Sequence, residues 1–182
     1  MKILAISGSV RSESTNTYFL REIAYISSET NSDVQIEIFN SHDELPIFSQ
    51  DLEGEETPLS VLTLCKRISL SDGIIISSPE YIKSIPGGLK NTIDWLVSRD
   101  EIIKKPIALT HASHRGEDVL ITLRRILSTI SENFSDSIFL KVPLIGKNAD
   151  EVKMIVNSKE FKPQVNRYIS KYTKYIESVS GG

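Results

Sequence analysis

Apolar residues along this chain follow two alternating rhythms. Short aliphatic or β-branched runs stand at 2–7, 34–39, 73–77, 106–110 and 137–142. Within them, Ile3-Leu4-Ala5-Ile6 and Ile74-Ile75-Ile76 are continuously apolar, as befits parallel strands covered on both faces. Between the runs, apolar positions recur at helical spacing. Phe19, Ile23 and Ile26 form one stripe, and Val61, Leu64, Cys65 and Ile68 a second. Leu89, Ile93, Leu96 and Val97 form a third, and Val119, Leu123, Ile126, Leu127 and Ile130 a fourth. The last runs through Val165, Ile169, Tyr172, Ile176 and Val179. Each stripe lays one helix face on a sheet and leaves the other wet.

Alternation of strand and helix implies right-handed crossovers and a parallel sheet sandwiched between helices. Five strands in 182 residues match an α/β, flavodoxin-like doubly wound sheet of order 2-1-3-4-5 with helices on both faces. That length holds one substantial core and is short for two. Residues 1–179 therefore read as a single domain, and 180–182 (Ser-Gly-Gly) as a disordered tail. In this order the winding reverses between strands one and three, and ligands sit at their carboxyl ends.

The segments leaving those two strands carry the most chemistry. Gly8-Ser9-Val10-Arg11-Ser12-Glu13-Ser14-Thr15-Asn16 is small and hydroxyl-rich around one arginine. A small-residue turn entering a helix lets backbone N–H groups converge on an anion, to which the helix adds its positive end. Ser9, Ser14, Thr15 and Asn16 add donors, and Arg11 adds a planar cation suited to phosphate oxygens. Capping by Ser14 or Thr15 accounts for one hydroxyl at the helix start; it leaves Arg11 and the remaining small polar residues unexplained. The segment is neither a P-loop nor a Gly-x-Gly-x-x-Gly turn, so one phosphate is to be housed, and a mononucleotide is favoured.

Ser78-Pro79-Glu80-Tyr81-Ile82-Lys83-Ser84-Ile85-Pro86-Gly87-Gly88 suits a flat ring laid against backbone. Pro79 and Pro86 stiffen it, and Gly87 and Gly88 allow close approach before the helix at Leu89. N–H groups near Glu80–Ile82 then face the polar edge of the ring, and Tyr81 packs beside it or holds the loop. A phosphate loop and a ring loop at one sheet edge describe FMN.

These segments resemble the NADPH-dependent FMN reductase family, which includes azoreductases, quinone reductases and chromate reductases. The resemblance rests on Gly8-Ser9-x-Arg11-x-x-Ser14-x-Asn16 and on Ser78-Pro79-Glu80-Tyr81-x-x-Ser84-x-Pro86-Gly87-x-Leu89-Lys90-Asn91-x-x-Asp94-Trp95. Leu45-Pro46-x-x-x-Gln50-Asp51-Leu52 adds to it, and it spans residues 1 to about 130. It implies that Ser9, Arg11, Ser14 and Asn16, with Thr15 between them, hold the FMN phosphate. Pro79, Glu80, Tyr81 and Ile82 would line the isoalloxazine. NADH or NADPH would be the transient hydride donor. A quinone, azo or nitro compound, metal oxyanion or free flavin would be the small-molecule acceptor, with ping-pong kinetics. Hydride transfer needs positioning rather than an acid or base, so no catalytic side chain is assigned. The resemblance also implies a homodimer or homotetramer with flavin near the interface, and Lys90, Asn91, Asp94 and Trp95 organising the third helix and that interface.

Two departures stand out. The family usually has Asn where this chain has Ile82, which removes a side-chain amide and keeps the backbone contacts. The loop His111-Ala112-Ser113-His114-Arg115-Gly116 is less glycine-rich than usual. These departures leave open a degenerate, non-catalytic oligomer, and an electron carrier of the flavodoxin type is a further reading. The carrier reading has against it Arg11 and the Pro79-Glu80-Tyr81 segment.

The rest of the composition narrows the class. His111 and His114 lack a third metal ligand nearby, and no serine-hydrolase elbow is present, so Ser113 and His114 are expected to give loop polarity or touch the flavin edge. No metal is expected. Arg115, Arg124 and Arg125 are candidates for a 2′-phosphate or plain helix-surface charges. A net charge of −3 with mixed signs gives no nucleic-acid footprint. The N-terminus turns polar at Ser7, too early for a signal peptide, and no run nears the roughly 18 apolar residues of a membrane span. A lone Cys65, set in an apolar helical stripe, reads as a buried thiol in a reducing cytoplasm. The connection from Asn40 to Thr57 carries Asp43, Glu44, Asp51, Glu53, Glu55 and Glu56 with no Lys or Arg. It is either functional or a solvated acidic excursion, and its apolar Leu45-Pro46-Ile47-Phe48 calls for a cover.

Overall fold

The computed structural model describes residues 1–11 and 13–180. Five parallel strands, β1 (Lys2–Ser7), β2 (Gln35–Phe39), β3 (Gly73–Ser77), β4 (Ile107–His111) and β5 (Phe134–Lys141), form one sheet in the order β2-β1-β3-β4-β5. The helices are α1 (Thr15–Thr30), α2 (Leu59–Ser69), α3 (Gly87–Asp94), α4 (Asp100–Ile103), α5 (Glu117–Ile130), α6 (Ala149–Val156) and α7 (Lys162–Ser180). Ser180, placed by sequence in a disordered tail, is the last residue of α7. Gly181 and Gly182 of that tail, and Ser12 of the hydroxyl-rich segment, lie outside the described residues.

The continuous apolar runs serve two cores at once, because successive strand residues point to opposite faces. Leu4, Ile6, Ile74, Ile76, Ile107 and Leu109 join Val61, Leu64, Leu89, Val119 and Leu123 of α2, α3 and α5 on one side. Ile3, Ala5, Ile75 and Ala108 join Phe19 and Ile23 of α1, Val152 of α6 and Tyr172 and Ile176 of α7 on the other. Cys65 is buried in the first layer, and that burial pushes its thiol above the ordinary range. None of the described helices is long and apolar enough to cross a membrane.

Four elements differ from the pattern-based expectation, one of them the four-residue α4, which answers to no predicted stripe. Strand β5 starts at Phe134, which pairs with Ile107, and its register with β4 shifts before Leu109. The polar stretch Ser135-Asp136-Ser137 on this irregular edge strand hides its first half from an alternation search. Helix α3 ends at Asp94, so Val97 leaves the predicted stripe and is exposed. Helix α6 has no counterpart among the predicted stripes. It opens on a capping box in which Asn148 accepts from the Glu151 N–H and Glu151 accepts from the Asn148 N–H, a signature legible in Asn-x-x-Glu.

The long acidic connection folds into three short 3-10 turns, His42–Glu44, Gln50–Leu52 and Gly54–Glu56. Its apolar segment finds its cover on α3. The Pro46 carbonyl accepts from Trp95 Nε1 at 2.8 Å and Asn91 Nδ2 at 2.9 Å, and the Phe48 N–H donates to Asn91 Oδ1 at 2.8 Å. The Phe48 ring meets buried Trp95 edge-on at 5.1 Å, and Leu45 is buried while Ile47 is exposed. Asn91 and Trp95 thus organise α3 by clamping the connection to it. Asn91→Ala removes two of these hydrogen bonds and strands the Phe48 N–H; urea unfolding is expected to show a loss of about 1–3 kcal/mol. An unchanged midpoint would show that the clamp adds nothing to stability.

Candidate functional site

Strands β1 and β3 lie side by side in register, Ser7 opposite Ser77, and their outgoing loops touch. The Gly8 N–H donates to the Ser77 carbonyl at 2.7 Å. A Cβ on Gly8 would stand 2.8 Å from Leu89 Cδ2 and 2.9 Å from Ser78 Oγ, and one on Gly88 would stand 2.7 Å from Val10 Cγ1. Glycine at these two points is what lets the hydroxyl-rich loop and the proline-rich loop meet. Gly87, by contrast, faces open space.

Buried hydroxyls and an imidazole fasten this junction. Ser7 Oγ pairs with Thr17 Oγ1 at 2.8 Å, and Ser77 Oγ donates to Asn16 Oδ1 at 2.8 Å, seating the first turn of α1 on β1 and β3. His42 bridges the Ser7 carbonyl through Nε2 and Thr92 Oγ1 through Nδ1, the latter at 2.6 Å. A carbonyl only accepts, so Nε2 carries the hydrogen, and in the neutral ring Nδ1 accepts from the Thr92 hydroxyl. That hydroxyl also lies 2.9 Å from the Gly88 carbonyl. Protonating His42 would turn Nδ1 into a donor and send the Thr92 hydrogen to Gly88.

A cavity of about 340 Å³ opens at the carboxyl edge of the sheet, lined by Thr15 and Asn16, Ser78–Glu80, most of loop 111–116, and Ile145–Gly146. It unites loops that leave β1, β3, β4 and β5. Of the residues singled out by sequence, Thr15, Asn16, Pro79, Glu80 and Ser113 line it; Ser9, Arg11, Ser14, Tyr81 and Ile82 do not. Ser9 is buried and its hydroxyl accepts from the Arg11 N–H at 3.2 Å. Arg11 is exposed and enters none of the ion pairs among the described residues. Ser14 occupies the N-cap of α1 without a side-chain cap bond, and no acidic residue stands in the first turn. The head of this 16-residue helix therefore keeps its positive end uncompensated by its own cap. The Thr15 hydroxyl is engaged, donating to the Lys147 carbonyl at 3.1 Å.

The Glu80 carboxylate has a structural task. Helix α5 starts after Gly116, which has no side chain to cap it, and Glu80 Oε2 accepts from the Val119 N–H at 3.1 Å in its place. Beyond Glu80 the chain makes a tight turn: the Tyr81 N–H donates to the Ser84 carbonyl and the Ser84 N–H to the Tyr81 carbonyl. The Tyr81 N–H, expected to face a ring, is thus already occupied. Ile82 and Lys83 at the turn centre have φ of 48° and 57°, the mirror-image geometry for which Asn-Gly is the easy sequence. Each such residue costs about 1–2 kcal/mol, and a β-branched one is a marked outlier.

The loop after β4 closes on itself. His111 Nε2 donates to the Arg115 carbonyl, and the Arg115 N–H donates to Ser113 Oγ at 2.9 Å. Gly116 has φ of 93°, and a Cβ there would stand 2.8 Å from His111 Nε2, so the ring and the glycine fit only each other. His111 Nδ1 is left buried without a partner among the described residues. His114 is exposed and off the cavity, Arg124 pairs with Asp136, and of the three candidate arginines only Arg115 reaches the cavity wall. No cluster of metal-ligating residues occurs among the described residues. Sequence reasoning missed Ile145 and Gly146; the one available signal was a glycine shortly after the fifth strand.

The sequence profile of NADPH-dependent FMN reductases matches residues 1–136, a stretch that contains both contacting loops. A quinone reductase of Escherichia coli (strain K12) is 31% identical over 116 residues, covering 62% of this chain and 60% of that protein. The match therefore spans three fifths of that relative's length. An NADPH azoreductase of Bacillus sp. (strain OY1-2) is 24% identical over 176 residues, 97% of this chain and 93% of that protein. Among solved structures, the flavoenzyme NAD(P)H:(acceptor) oxidoreductase FerB from Paracoccus denitrificans shares the fold, with a TM-score of 0.74 at 22% identity over 96% of this chain and 98% of that one.

Burial holds the imidazoles of both His42 and His111 below their ordinary value of 6.5, partly offset by their bonds to the Ser7 and Arg115 carbonyls. A depressed histidine leaves the unfolded chain to take the proton first, so stability is full above pH 6.5 and falls as pH drops below it. The loss is at most about 1.4 kcal/mol per pH unit for each ring. Glu29, Glu117 and Glu151, lowered by hydrogen bonds to Tyr25, Lys141 and Lys147, lose their contribution in a separate window below 4.5. Urea unfolding from pH 7.5 to 5.5 is expected to show the histidine slope, and two imidazole resonances to titrate below 6.5. A flat stability profile across that window would contradict this picture.

Proposed function

The chain belongs to the NADPH-dependent FMN reductase family, and on that premise we propose that it is an FMN-dependent NAD(P)H oxidoreductase acting on small-molecule acceptors. The observation that carries the reading is the uncapped head of α1 opening beside a cavity walled by Pro79 and Glu80. An anion belongs at the first feature and a ring at the second, and the two loops are in contact. FMN fits this pair. Ser9, Arg11, Ser14, Thr15 and Asn16 would hold its phosphate, Arg11 as a cation that enters no ion pair among the described residues. Pro79 and Glu80 line the ring site, Ser113 shares the cavity with them, and Tyr81 and Ile82 follow in the turn that leaves it.

FMN held there would supply two-electron hydride chemistry, with NADH or NADPH as donor and a quinone, azo or nitro compound, metal oxyanion or free flavin as acceptor. The side chains act by positioning. Glu80 fixes the ring loop to α5, His42 fixes the end of β1 to α3 and the acidic connection, and the latched 111–116 loop forms the far wall. One cavity receives donor and acceptor in turn, which gives ping-pong kinetics. Assembly as a homodimer or homotetramer accords with exposed Leu59, Val97 and Ile121 on the α2–α5 layer, and a reducing cytoplasm accords with the buried lone thiol.

Titration against the purified chain tests the phosphate assignment. FMN is expected to bind at one per chain and riboflavin, which lacks the phosphate, much more weakly. Arg11→Ala should weaken FMN by about 10- to 100-fold, as removal of a charge-assisted hydrogen bond does, and leave riboflavin nearly unaffected. Equal affinity for the two flavins would put the phosphate elsewhere. A chain that takes up no flavin and oxidises no NAD(P)H with any quinone would end the enzyme reading.

A further inference from the structure

We propose that Ile82 is a specificity-determining residue of this site, presenting an apolar surface to flat, uncharged ring acceptors; the proposal rests on the flavin reading above. Two separate costs meet at this one side chain. Its backbone is left-handed, at φ 48°, which a β-branched residue tolerates worst. Its side chain is 100% exposed, so the turn gains no burial in return. Neither cost is needed to make the turn, since asparagine or glycine closes the same geometry without strain. Strain retained without packing points to use at the surface.

Its place in the fold says which use. The turn is held rigidly from both ends, by the paired Tyr81–Ser84 bonds and by Glu80 on the Val119 N–H. Ile82 therefore stands two residues, at most about 7 Å of chain, beyond a residue of the cavity wall. That wall carries Pro79, Ala112 and half-exposed Ile145, and Tyr81 next to Ile82 is 41% exposed. The exposed apolar groups of Tyr81 and Ile82 thus follow directly on Glu80 of that wall, whose carboxylate is turned to α5 by its bond to the Val119 N–H. A planar neutral ring settling at the mouth covers this surface, whereas a small multiply charged acceptor gains nothing from it.

The test compares two substitutions that both ease the backbone but differ in polarity. Wild type, Ile82→Asn and Ile82→Leu are loaded with FMN, and kcat/KM is measured with NADPH for a 1,4-naphthoquinone and for ferricyanide. The readout is the quinone-to-ferricyanide ratio. I82N is expected to lower that ratio by about 10-fold, the scale on which one aliphatic side chain against a ring discriminates. I82L should keep it within about 2-fold. Both should melt no lower than wild type, since neither carries the β-branch.

A ratio preserved in I82N overturns the proposal, as does an equal fall in I82L, which would assign the effect to turn geometry. A lower apparent mass of I82N in light scattering also overturns it, because Ile82 would then face a second copy of the chain. Uptake of FMN by wild type is measured first. Its absence overturns the flavin reading and this one together, whereas normal uptake with an unchanged ratio overturns this one alone.

Discussion

Every functional feature of this chain depends on β1 and β3 being adjacent, parallel and level at their ends. Ser7 stands opposite Ser77, and the chain leaves β1 for a helix on one face and β3 for a helix on the other. A doubly wound sheet must open a crevice at that point, and here the crevice is narrowed until the two loops touch through Gly8 and Gly88. His42 adds a third party. From the connection after β2 it donates to the carbonyl that ends β1 and accepts from Thr92 on α3. One neutral imidazole therefore ties the end of β1, helix α3 and the acidic connection together. Burial holds the imidazole below its ordinary value and so favours the neutral form that this arrangement uses.

Local rules are broken along the same edge. The N-cap of α1 holds a serine that does not cap, α5 is capped by a carboxylate from another loop, and Ile82 sits where glycine or asparagine would be comfortable. Buried His111 keeps one nitrogen without a partner among the described residues. The strands beneath follow their propensities closely. Departures of this kind gather where a sequence answers to a ligand as well as to its own fold.

The fold is legible in the sequence because its central strands β1, β3 and β4 are buried on both faces and its helices on one, so apolar runs and stripes separate cleanly. Where that physics weakens, legibility fails. The first half of β5 is polar and bulged at a sheet edge, and α6 is only eight residues long, too short for its apolar positions to show a helical repeat. The two loops are legible from residue type and from the switch point. Their detailed roles are not. Glu80 lines the cavity and also caps α5, a second task that only the tertiary structure reveals. The Tyr81–Ser84 turn is hidden because Ile-Lys carries no turn signal. Asn91 and Trp95 are expected to organise α3, and the structure adds what they organise: the cover over Leu45–Phe48. Ile145 and Gly146 reach the cavity only through the packing of β5, a tertiary fact without a local signature.

The central claim is that one flavin spans the junction, its phosphate at the head of α1 and its ring against Pro79 and Glu80. A crystal structure of the chain grown with FMN measures this directly. The account predicts phosphate oxygens within hydrogen-bond reach of first-turn N–H groups of α1 and of the Arg11 guanidinium, with the ring against the chain around Glu80. A flavin bound at the opposite edge of the sheet, or one that reaches only one of the two loops, would contradict it.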